Sequence, residues 1–287
     1  MRVGLVSDLH WTVEAPASAA AWHGGGEFAG VLDRLAAALE HFDAERVDRI
    51  VICGDLTHHG DHDSLRDVLS ALSRSRAPVG IVSGNHDVGE DPEALDLALR
   101  HRGDPLLSLL DPTAVDEAGV ALAGVHVGEA EGWFGARLRA HPSAQDLGTG
   151  PAVLVSHYPV LSLAVPISAA GLPYPGDLLD REELATVLGE RRAPTLVLSG
   201  HVHARASLAE GPLLQLSTGA LVEPPYECAV IDVEPSTGDG LAVTRRCLSL
   251  LKSRHSLQPI FAPEQESWRF ESGAWQRLHA PLPAVIA

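Results

Sequence analysis

The chain has 287 residues, of which 45% are hydrophobic and 5% aromatic, and it carries a formal net charge of −17 at pH 7. This length suffices for one large α/β domain or for two smaller ones. The acidic balance argues against nucleic acid and anionic membrane surfaces as partners, because binding to either depends on Lys and Arg side chains.

The cysteines and the N-terminal residues indicate the cellular compartment. Cys53, Cys228 and Cys247 are too few and too scattered for a disulfide framework or a zinc ribbon. The N-terminal MRVGLVSD enters a strand pattern directly, without the basic start and apolar core of a signal peptide. No apolar stretch reaches the length needed to span a bilayer. We therefore expect a soluble, cytoplasmic protein.

Three units at the start of the chain share one plan, in which an apolar run is followed by a polar turn and a helical pattern. The apolar runs are RVGLVSD, DRIVICGD and PVGIVSGNHD, and the helical patterns are FAGVLDRLAAALEHF, HDSLRDVLSALSRSR and PEALDLALRHR. Strands that alternate with helices of this length predict βαβ units and a mostly parallel sheet. We expect Asp8, Asp55 and Asn85, which follow the three runs, to lie along one edge of that sheet.

Short strands dominate the second half of the chain. GVALAGVHVG, AVLVSHYPV and TLVLSGHVH are strand-like, and REELATVLGER is helical. The later runs PLLQLSTGAL, YECAVIDVE and GLAVTRRCLSL are separated by Gly and Pro turns, and they favour a second sheet that is partly antiparallel. We predict one domain over residues 1–250 and a C-terminal tail, 251–287, that packs on the body or on a partner subunit.

Residues that commonly bind metals follow five of the strand-like runs. Asp and Asn are also frequent turn formers, and a lone His is usually a polar surface group, so each position alone proves little. Their recurrence at five strand ends nevertheless predicts a metal site. The segments are SDLH (Asp8, His10), CGDLTHHG (Asp55), SGNHD (Asn85, His86), VSHYP (His157) and SGHVH (His201, His203).

The order Asp-x-His, Gly-Asp, Gly-Asn-His-Asp, His and Gly-His-x-His resembles that of the calcineurin-like metallophosphoesterase superfamily. The form GDLTHHG is most similar to the class III cyclic-nucleotide phosphodiesterase branch. The resemblance implies an α/β fold, a four-layer αββα sandwich of two mixed sheets flanked by helices. It also implies two metal ions between the strand ends.

Carried over residue by residue, the resemblance implies a set of ligands for each ion and one carboxylate between them. The ligands would be Asp8, His10 and His203 for the first ion, Asn85, His157 and His201 for the second, and Asp55 as the bridge. The resemblance thus assigns the two histidines of Gly-His-x-His to different ions.

The mixture of imidazole, carboxylate and amide ligands suits Mn, Fe, Zn, Co or Ni, and ligand type alone does not select among these metals. Two such ions about 3.5–4 Å apart can clamp a phosphoryl group and activate a water as hydroxide near neutral pH. Two divalent ions and the carboxylates of Asp8 and Asp55 leave roughly +2 at the centre. The acidic net charge therefore does not exclude a phosphate substrate.

Histidine 86 is the expected catalytic residue that is not a ligand, because it follows a metal-binding amide and would face the phosphate. The alternative for His86 is a structural role beside the ligands. We expect Asp87 to orient the site rather than to bind metal. His58, His59 and Trp22 are possible substrate contacts, although for the two histidines we favour a solvated loop.

The leading functional hypothesis is hydrolysis of a small phosphodiester, with a cyclic nucleotide as one example. A phosphomonoesterase is the nearest alternative, but the extra charge of a monoester favours added Arg or Lys, and only Arg205 follows a ligand loop closely. A non-catalytic metal-binding scaffold is a further alternative, although it should have lost ligands. A homodimer is expected only by analogy with the cyclic-nucleotide branch.

Overall fold

The computed structural model describes residues 1–14, 26–89, 91–113, 115–117, 119–131, 135–143, 145–236, 240–251 and 259–278. These residues form two large sheets and a small hairpin. The hairpin pairs β7 with β8. In chain order, the strands are β1 (Arg2–Val6), β2 (Arg49–Cys53), β3 (Val79–Val82), β4 (Leu107–Leu109), β5 (Val115–Glu117), β6 (Val120–Val125), β7 (Val127–Glu131), β8 (Gly135–Leu138), β9 (Ala152–Ser156), β10 (Thr195–Ser199), β11 (Ala206–Glu210), β12 (Leu213–Ser217), β13 (Glu227–Pro235), β14 (Leu241–Ser249), β15 (Gln265–Glu271) and β16 (Ala274–Leu278).

The helices cover the outer faces of the sheets or follow strand ends. A 3-10 turn at Phe28–Gly30 precedes the first of them. None of the helices in the described part of the chain is long and apolar enough to cross a membrane. The helices are α1 (Val31–Glu45), α2 (His62–Leu72), α3 (Asn85–Val88), α4 (Ala94–Arg102), α5 (Ala164–Ala169) and α6 (Arg181–Gly189).

Both sheets are mixed, and each contains a block of parallel strands. The first sheet has the order β16-β15-β14-β13-β1-β2-β3-β4, in which β1 to β4 are parallel and β13 to β16 antiparallel. The second sheet has the order β11-β12-β10-β9-β6-β5, in which β12, β10, β9 and β6 are parallel. The carboxyl ends of the parallel strands carry the loops that the sequence singled out.

Three apolar cores separate the layers. One core lies between α1, α2 and the outer face of the first sheet, and includes Leu35, Val68 and Ile52. A second core joins the two sheets through residues such as Val51 and Leu198, and a third packs α6 against the second sheet. In β2, for example, Ile50 and Ile52 enter the first core while Val51 and Cys53 enter the second, which is the pattern of a strand buried on both faces. The expected four-layer αββα sandwich of two mixed sheets is confirmed.

One expectation about the later strands differs from the structure. The YECAVIDVE and GLAVTRRCLSL runs become β13 and β14; β13 pairs with β1 and β14 pairs with β13, so both extend the first sheet rather than the second. For the segment 251–287, predicted to pack on the body or on a partner subunit, the described residues contribute β15 and β16 to that same sheet. Trp268 and Phe270 alternate along β15 and reach the core between the sheets. Local pattern identified β13 and β14 as strands, but the choice of partner depends on contacts that are distant in sequence.

Candidate metal centre

The predicted ligands meet at the carboxyl ends of the parallel strands, at one edge of the two stacked sheets. Loops after β1, β2 and β3 come from the first sheet, and loops after β9 and β10 come from the second. Backbone hydrogen bonds extend the pairing beyond the strands, since the His10 amide donates to the Asp55 carbonyl at 2.9 Å and the Gly200 amide donates to the His157 carbonyl at 2.9 Å. The loops are therefore held to one another before any side chain is considered.

Glycines allow the loops to approach this closely. A Cβ atom on Gly84 would collide with the carboxylate and the backbone nitrogen of Asp55. A Cβ atom on Gly200 would collide with the hydroxyl of Ser7 and the carboxylate of Asp8. The glycines of Gly-Asn-His-Asp and Gly-His-x-His are thus required by packing, because any side chain would separate the carboxylates from the loops that face them.

Much of the ligand set has a left-handed backbone. Such φ values are uncommon outside glycine, although Asp, Asn and His adopt them more readily than other residues. Strained backbone of this kind clusters at functional sites. It occurs at Asp8 (φ 53°), His10 (φ 47°), Asp55 (φ 50°), His201 (φ 64°) and His203 (φ 48°).

The first group of side chains consists of Asp8, His10 and His203, all of them buried. The Nε2 atoms of the two histidines are 3.2 Å apart. The Asp8 Oδ1 atom lies 3.4 Å from His203 Nε2 and 4.0 Å from His10 Nε2. Their donor atoms are close enough together to bind a single ion.

The carboxylate of Asp55 lies between this group and the second one. Its Oδ2 atom is 3.4 Å from His10 Nε2 and 3.2 Å from His157 Nε2. Its other oxygen, Oδ1, accepts a hydrogen bond from the His86 backbone amide at 2.9 Å. One oxygen therefore faces both groups of histidines, which is the position that a bridging ligand requires.

The second group consists of Asn85, His157 and His201. His157 Nε2 lies 3.1 Å from Asn85 Oδ1, and His157 Nδ1 donates to the Cys53 carbonyl at 2.6 Å. The rings of His157 and His201 are 5.1 Å apart between centroids. Within the described residues, the buried Nε2 atom of His201 has no hydrogen-bond partner. A buried nitrogen of this kind is expected where a metal completes the site.

The electrostatics of the two groups also fit a bound cation. Burial alone would lower the pKa of His157, but the adjacent Asp55 carboxylate raises it to about 9. Burial likewise opposes the charge on His203, but Asp8 and Glu223 raise its pKa to about 10. Burial and neighbouring histidines lower the pKa of His201. The carboxylates thus favour positive charge in a buried cluster that disfavours further protons, and bound metal ions would supply that charge.

Histidine 86 borders the first group and is only partly buried. Its ring lies 4.5 Å from that of His10 between centroids. The Nδ1 atom of His86 is 2.8 Å from the His58 carbonyl, which accepts its proton. This contact fixes the orientation of the ring.

The expectation of a solvated THHG loop is wrong for His58 and fits His59. The His58 side chain is buried, with its ring stacked 5.1 Å from that of His86 and packed edge-on against Phe28. Burial and the neighbouring His86 lower the pKa of His58 to about 4. The donor atoms of His58, His10 and His86 lie close enough to bind one ion. His59 is exposed.

Aspartate 87 ties two of the ligand loops together. Its Oδ1 accepts from the Thr57 amide at 3.0 Å, and its Oδ2 accepts from the Gly84 amide at 3.0 Å. Burial and repulsion by Asp55 raise the pKa of Asp87 to about 7. The side chain therefore holds the loop after β2 against the loop after β3. Trp22, the other predicted substrate contact, lies outside the described residues.

The arginine that follows the last ligand loop pairs with a buried carboxylate. Arg205 is buried, and its Nε atom lies 3.1 Å from Oε2 of the equally buried Glu227. Glu227 also accepts from the Gly219 amide at 3.0 Å. The charge of Arg205 is thus balanced inside the protein.

Sequence reasoning missed two side chains that contact the proposed ligands. Glu223 Oε1 accepts from His203 Nδ1 at 2.7 Å, and the Tyr158 ring lies 3.7 Å from the His201 ring between centroids. Tyr158 follows His157 directly, so its proximity to the site could have been inferred. Glu223 has no spacing relationship to the motifs that would have revealed it.

Comparisons with known proteins find a matching family and similar folds. A model of the calcineurin-like phosphoesterase family matches residues 1–205. Among solved structures, the chain is similar to a dimetal phosphatase from Danio rerio, with a TM-score of 0.60 and 14% identity over 88% of this chain and 96% of that one. It is also similar to a putative 5'-nucleotidase from Staphylococcus aureus, with a TM-score of 0.51 and 13% identity over 90% of this chain and 56% of that one. No curated protein matches the sequence.

Proposed function

The chain belongs to the calcineurin-like phosphoesterase family, and on that basis we propose that its metal centre hydrolyses a small phosphodiester. Family membership makes the protein a hydrolase of phosphoric esters, and the proposal adds the ligand assignment and the substrate class. The proposed ligands are Asp8, His10 and His203 for one ion, Asn85, His157 and His201 for the other, and Asp55 between them.

The observation that carries the diester preference is the pairing of Arg205 with Glu227. A phosphomonoester carries one more negative charge than a diester and gains more from a nearby arginine or lysine. The ligand loops SDLHW, GDLTHHG, SGNHD, SHYP and SGHVHAR contain no lysine or arginine other than Arg205. Since Arg205 is buried and neutralised, a second substrate charge finds no free partner there.

The chain's own residues divide the remaining work between orientation and proton transfer. When bound, two divalent ions would supply positive charge for the phosphoryl oxygens and a lowered pKa for the attacking water. Asp55 and Asp87 hold the loops that carry the ligands. His86, whose ring is oriented by the bond from Nδ1 to the His58 carbonyl, would act in its protonated imidazolium form as the proton donor to the leaving oxygen.

The test is a pair of initial rates on Mn²⁺-reconstituted protein. One substrate is an aryl phosphodiester, and the other is the matching aryl phosphomonoester. We expect faster hydrolysis of the diester, and we expect both activities to disappear in metal-stripped protein. That outcome would justify a panel of cyclic nucleotides and other small diesters.

The Asp55→Ala variant is the control for the two-metal arrangement. Loss of the carboxylate that faces both histidine groups should abolish turnover of either substrate. Faster monoester hydrolysis by the unmodified protein would instead support a phosphomonoesterase and overturn the diester proposal. Absence of turnover on both substrates would also contradict it and favour a metal-binding scaffold.

A further inference from the structure

We propose that Glu223 is a positioning residue for the first metal ion. It accepts a hydrogen bond from Nδ1 of His203 and so keeps Nε2 of that ring directed at the ion. This inference rests on the ligand assignment proposed above but not on the identity of the substrate. Glu223 follows β12, six residues after the strand ends, so a sixth strand end of the two sheets contributes to the metal centre.

The His203 ring lies between two carboxylates. On one edge, Nδ1 donates to Glu223 Oε1 at 2.7 Å. On the opposite edge, Nε2 lies 3.4 Å from Asp8 Oδ1 and 3.2 Å from His10 Nε2. The proton on Nδ1 leaves Nε2 with the lone pair that a metal ion needs. A carboxylate behind a metal-binding histidine also raises the basicity of the ring.

The loop that carries Glu223 is fastened to the first ligand loop. The amides of Leu221 and Val222 both donate to the Asp8 carbonyl at 3.2 Å. Arg34, from α1, donates through Nε to the Leu221 carbonyl at 2.6 Å. The Glu27 amide donates to the Val222 carbonyl at 2.7 Å. Glu223 is therefore placed with respect to Asp8 as well as to His203.

Burial makes this carboxylate effective. The Glu223 side chain has no exposed surface, and neither Asp8 nor His203 is accessible beyond a few per cent. Charges in such surroundings are poorly screened and interact strongly with their neighbours. A buried carboxylate is costly unless it is paired, which is the role that His203 fulfils here.

The second group has a different kind of support. There the corresponding contact of His157 is to the backbone carbonyl of Cys53, which carries no charge. Glu223 thus adds a negative charge behind the first group alone. Removal of Glu223 should weaken binding of the first ion and leave binding of the second ion largely unaffected.

The experiment measures the dissociation constants of both ions, with Mn²⁺ and Zn²⁺ in competition with a chelator, for the full-length protein and two variants. In Glu223→Ala we expect one of the two constants to rise about 10- to 100-fold, the usual effect of removing such a partner. In Glu223→Gln the rise should be smaller, because the amide oxygen still accepts from Nδ1. The second constant should stay unchanged in both variants.

The matched control is Glu266→Gln. Glu266 is also a buried carboxylate, but it pairs with Arg245 and Arg277 on the β14–β15 side of the first sheet. This variant should unfold at a lower temperature without changing either dissociation constant. It separates a specific effect at His203 from a general loss of stability.

Three outcomes would overturn the proposal. The first is unchanged binding of both ions in the Glu223 variants, and the second is an equal loss of affinity for both ions in those variants. The third is a selective loss of affinity for one ion in Glu266→Gln. If Glu223→Ala does not fold, Glu223→Gln alone decides the matter, since it keeps the size and the hydrogen bond. The titration uses no substrate, so a failure of the diester proposal would leave its result intact.

Discussion

The position of His86 is fixed by two hydrogen bonds, one from its backbone amide and one from its ring. The His86 amide donates to Asp55, while its Nδ1 atom donates to the carbonyl of His58. The residue is thereby attached to the proposed bridging carboxylate without using its ring for binding.

We expect His86→Ala to lower kcat by about 10²- to 10⁴-fold, because it removes a positioned proton donor. The metal content should not change, since the backbone amide that contacts Asp55 is retained. Steady-state kinetics and metal analysis on the same preparation check both parts. The exposed histidine His101, on α4, provides the control, and its alanine variant should retain full activity. Loss of an ion from His86→Ala would show that this residue is a ligand.

At the residue scale, the predictable part of the site is the part that follows strands. Asp8, Asp55 and His157 were assigned from motifs whose position at strand ends brings them together. Glu223 could not be found in this way, because it lies 20 residues after His203 in sequence and reaches it only through the folding of the loop after β12. The burial of His58 depends on Phe28, which arrives from a separate segment. Both contacts arise from tertiary packing and leave no local spacing to detect.

At the element scale, α2 is coupled to the ligand loop that precedes it. Asp61 caps the helix, with Oδ1 accepting from the Ser64 amide at 2.8 Å. The preceding Gly60 amide donates to the hydroxyl of Thr57, which also contacts Asp87. The helix then packs Leu65 and other apolar residues against the first sheet. The start of α2 therefore limits the path available to the loop after β2.

We expect Asp61→Ala to reduce the free energy of unfolding by about 1 kcal/mol, the usual cost of losing an N-cap. Denaturant unfolding of the metal-free protein measures the change. Asp63→Ala is the matched control, since Asp63 lies in the same first turn but is exposed and pairs with Arg66 at the surface. Such surface pairs contribute little. Equal losses in the two variants would contradict the capping role.

Sequence patterns anticipated the elements that have strong local signals. The helical periodicity after the first two strands predicted α1 and α2, and the observed helices begin within a few residues of the predicted ones. The short strands β4 and β11 gave no comparable signal. Alternation of Trp268 and Phe270 with polar residues is the pattern of a half-buried strand. Its place beside β14 was not predictable, because pairing depends on the whole sheet.

At the scale of the whole molecule, the C-terminal strands complete the core between the sheets. Trp268 is 9% exposed and packs in that core with Trp275, whose Nε1 atom donates to the Pro212 carbonyl at 2.8 Å. Pro212 directly precedes β12 of the second sheet. The last strands of the first sheet thus contact the second sheet as well.

We expect Trp268→Ala to cost about 3–5 kcal/mol of unfolding free energy, as for other large side chains removed from a core. Arg269→Ala is the control on the same strand, because Arg269 faces solvent and should have little effect. Thermal and denaturant unfolding of the two variants provide the comparison. A Trp268→Ala protein as stable as the unmodified one would show that β15 does not contribute to the core.

The left-handed backbone of the ligand residues lowers the stability of the fold at the positions that activity requires. Asp8, His10, Asp55, His201 and His203 each occupy a conformation that glycine adopts freely, and a residue held there costs about 1 kcal/mol or more. Selection for heat resistance in the absence of metal would therefore favour glycine at these positions. The variants that emerged would be the most robust and would have lost their ligands. Directed evolution of this protein should accordingly be carried out with metal present and with turnover as the selected property.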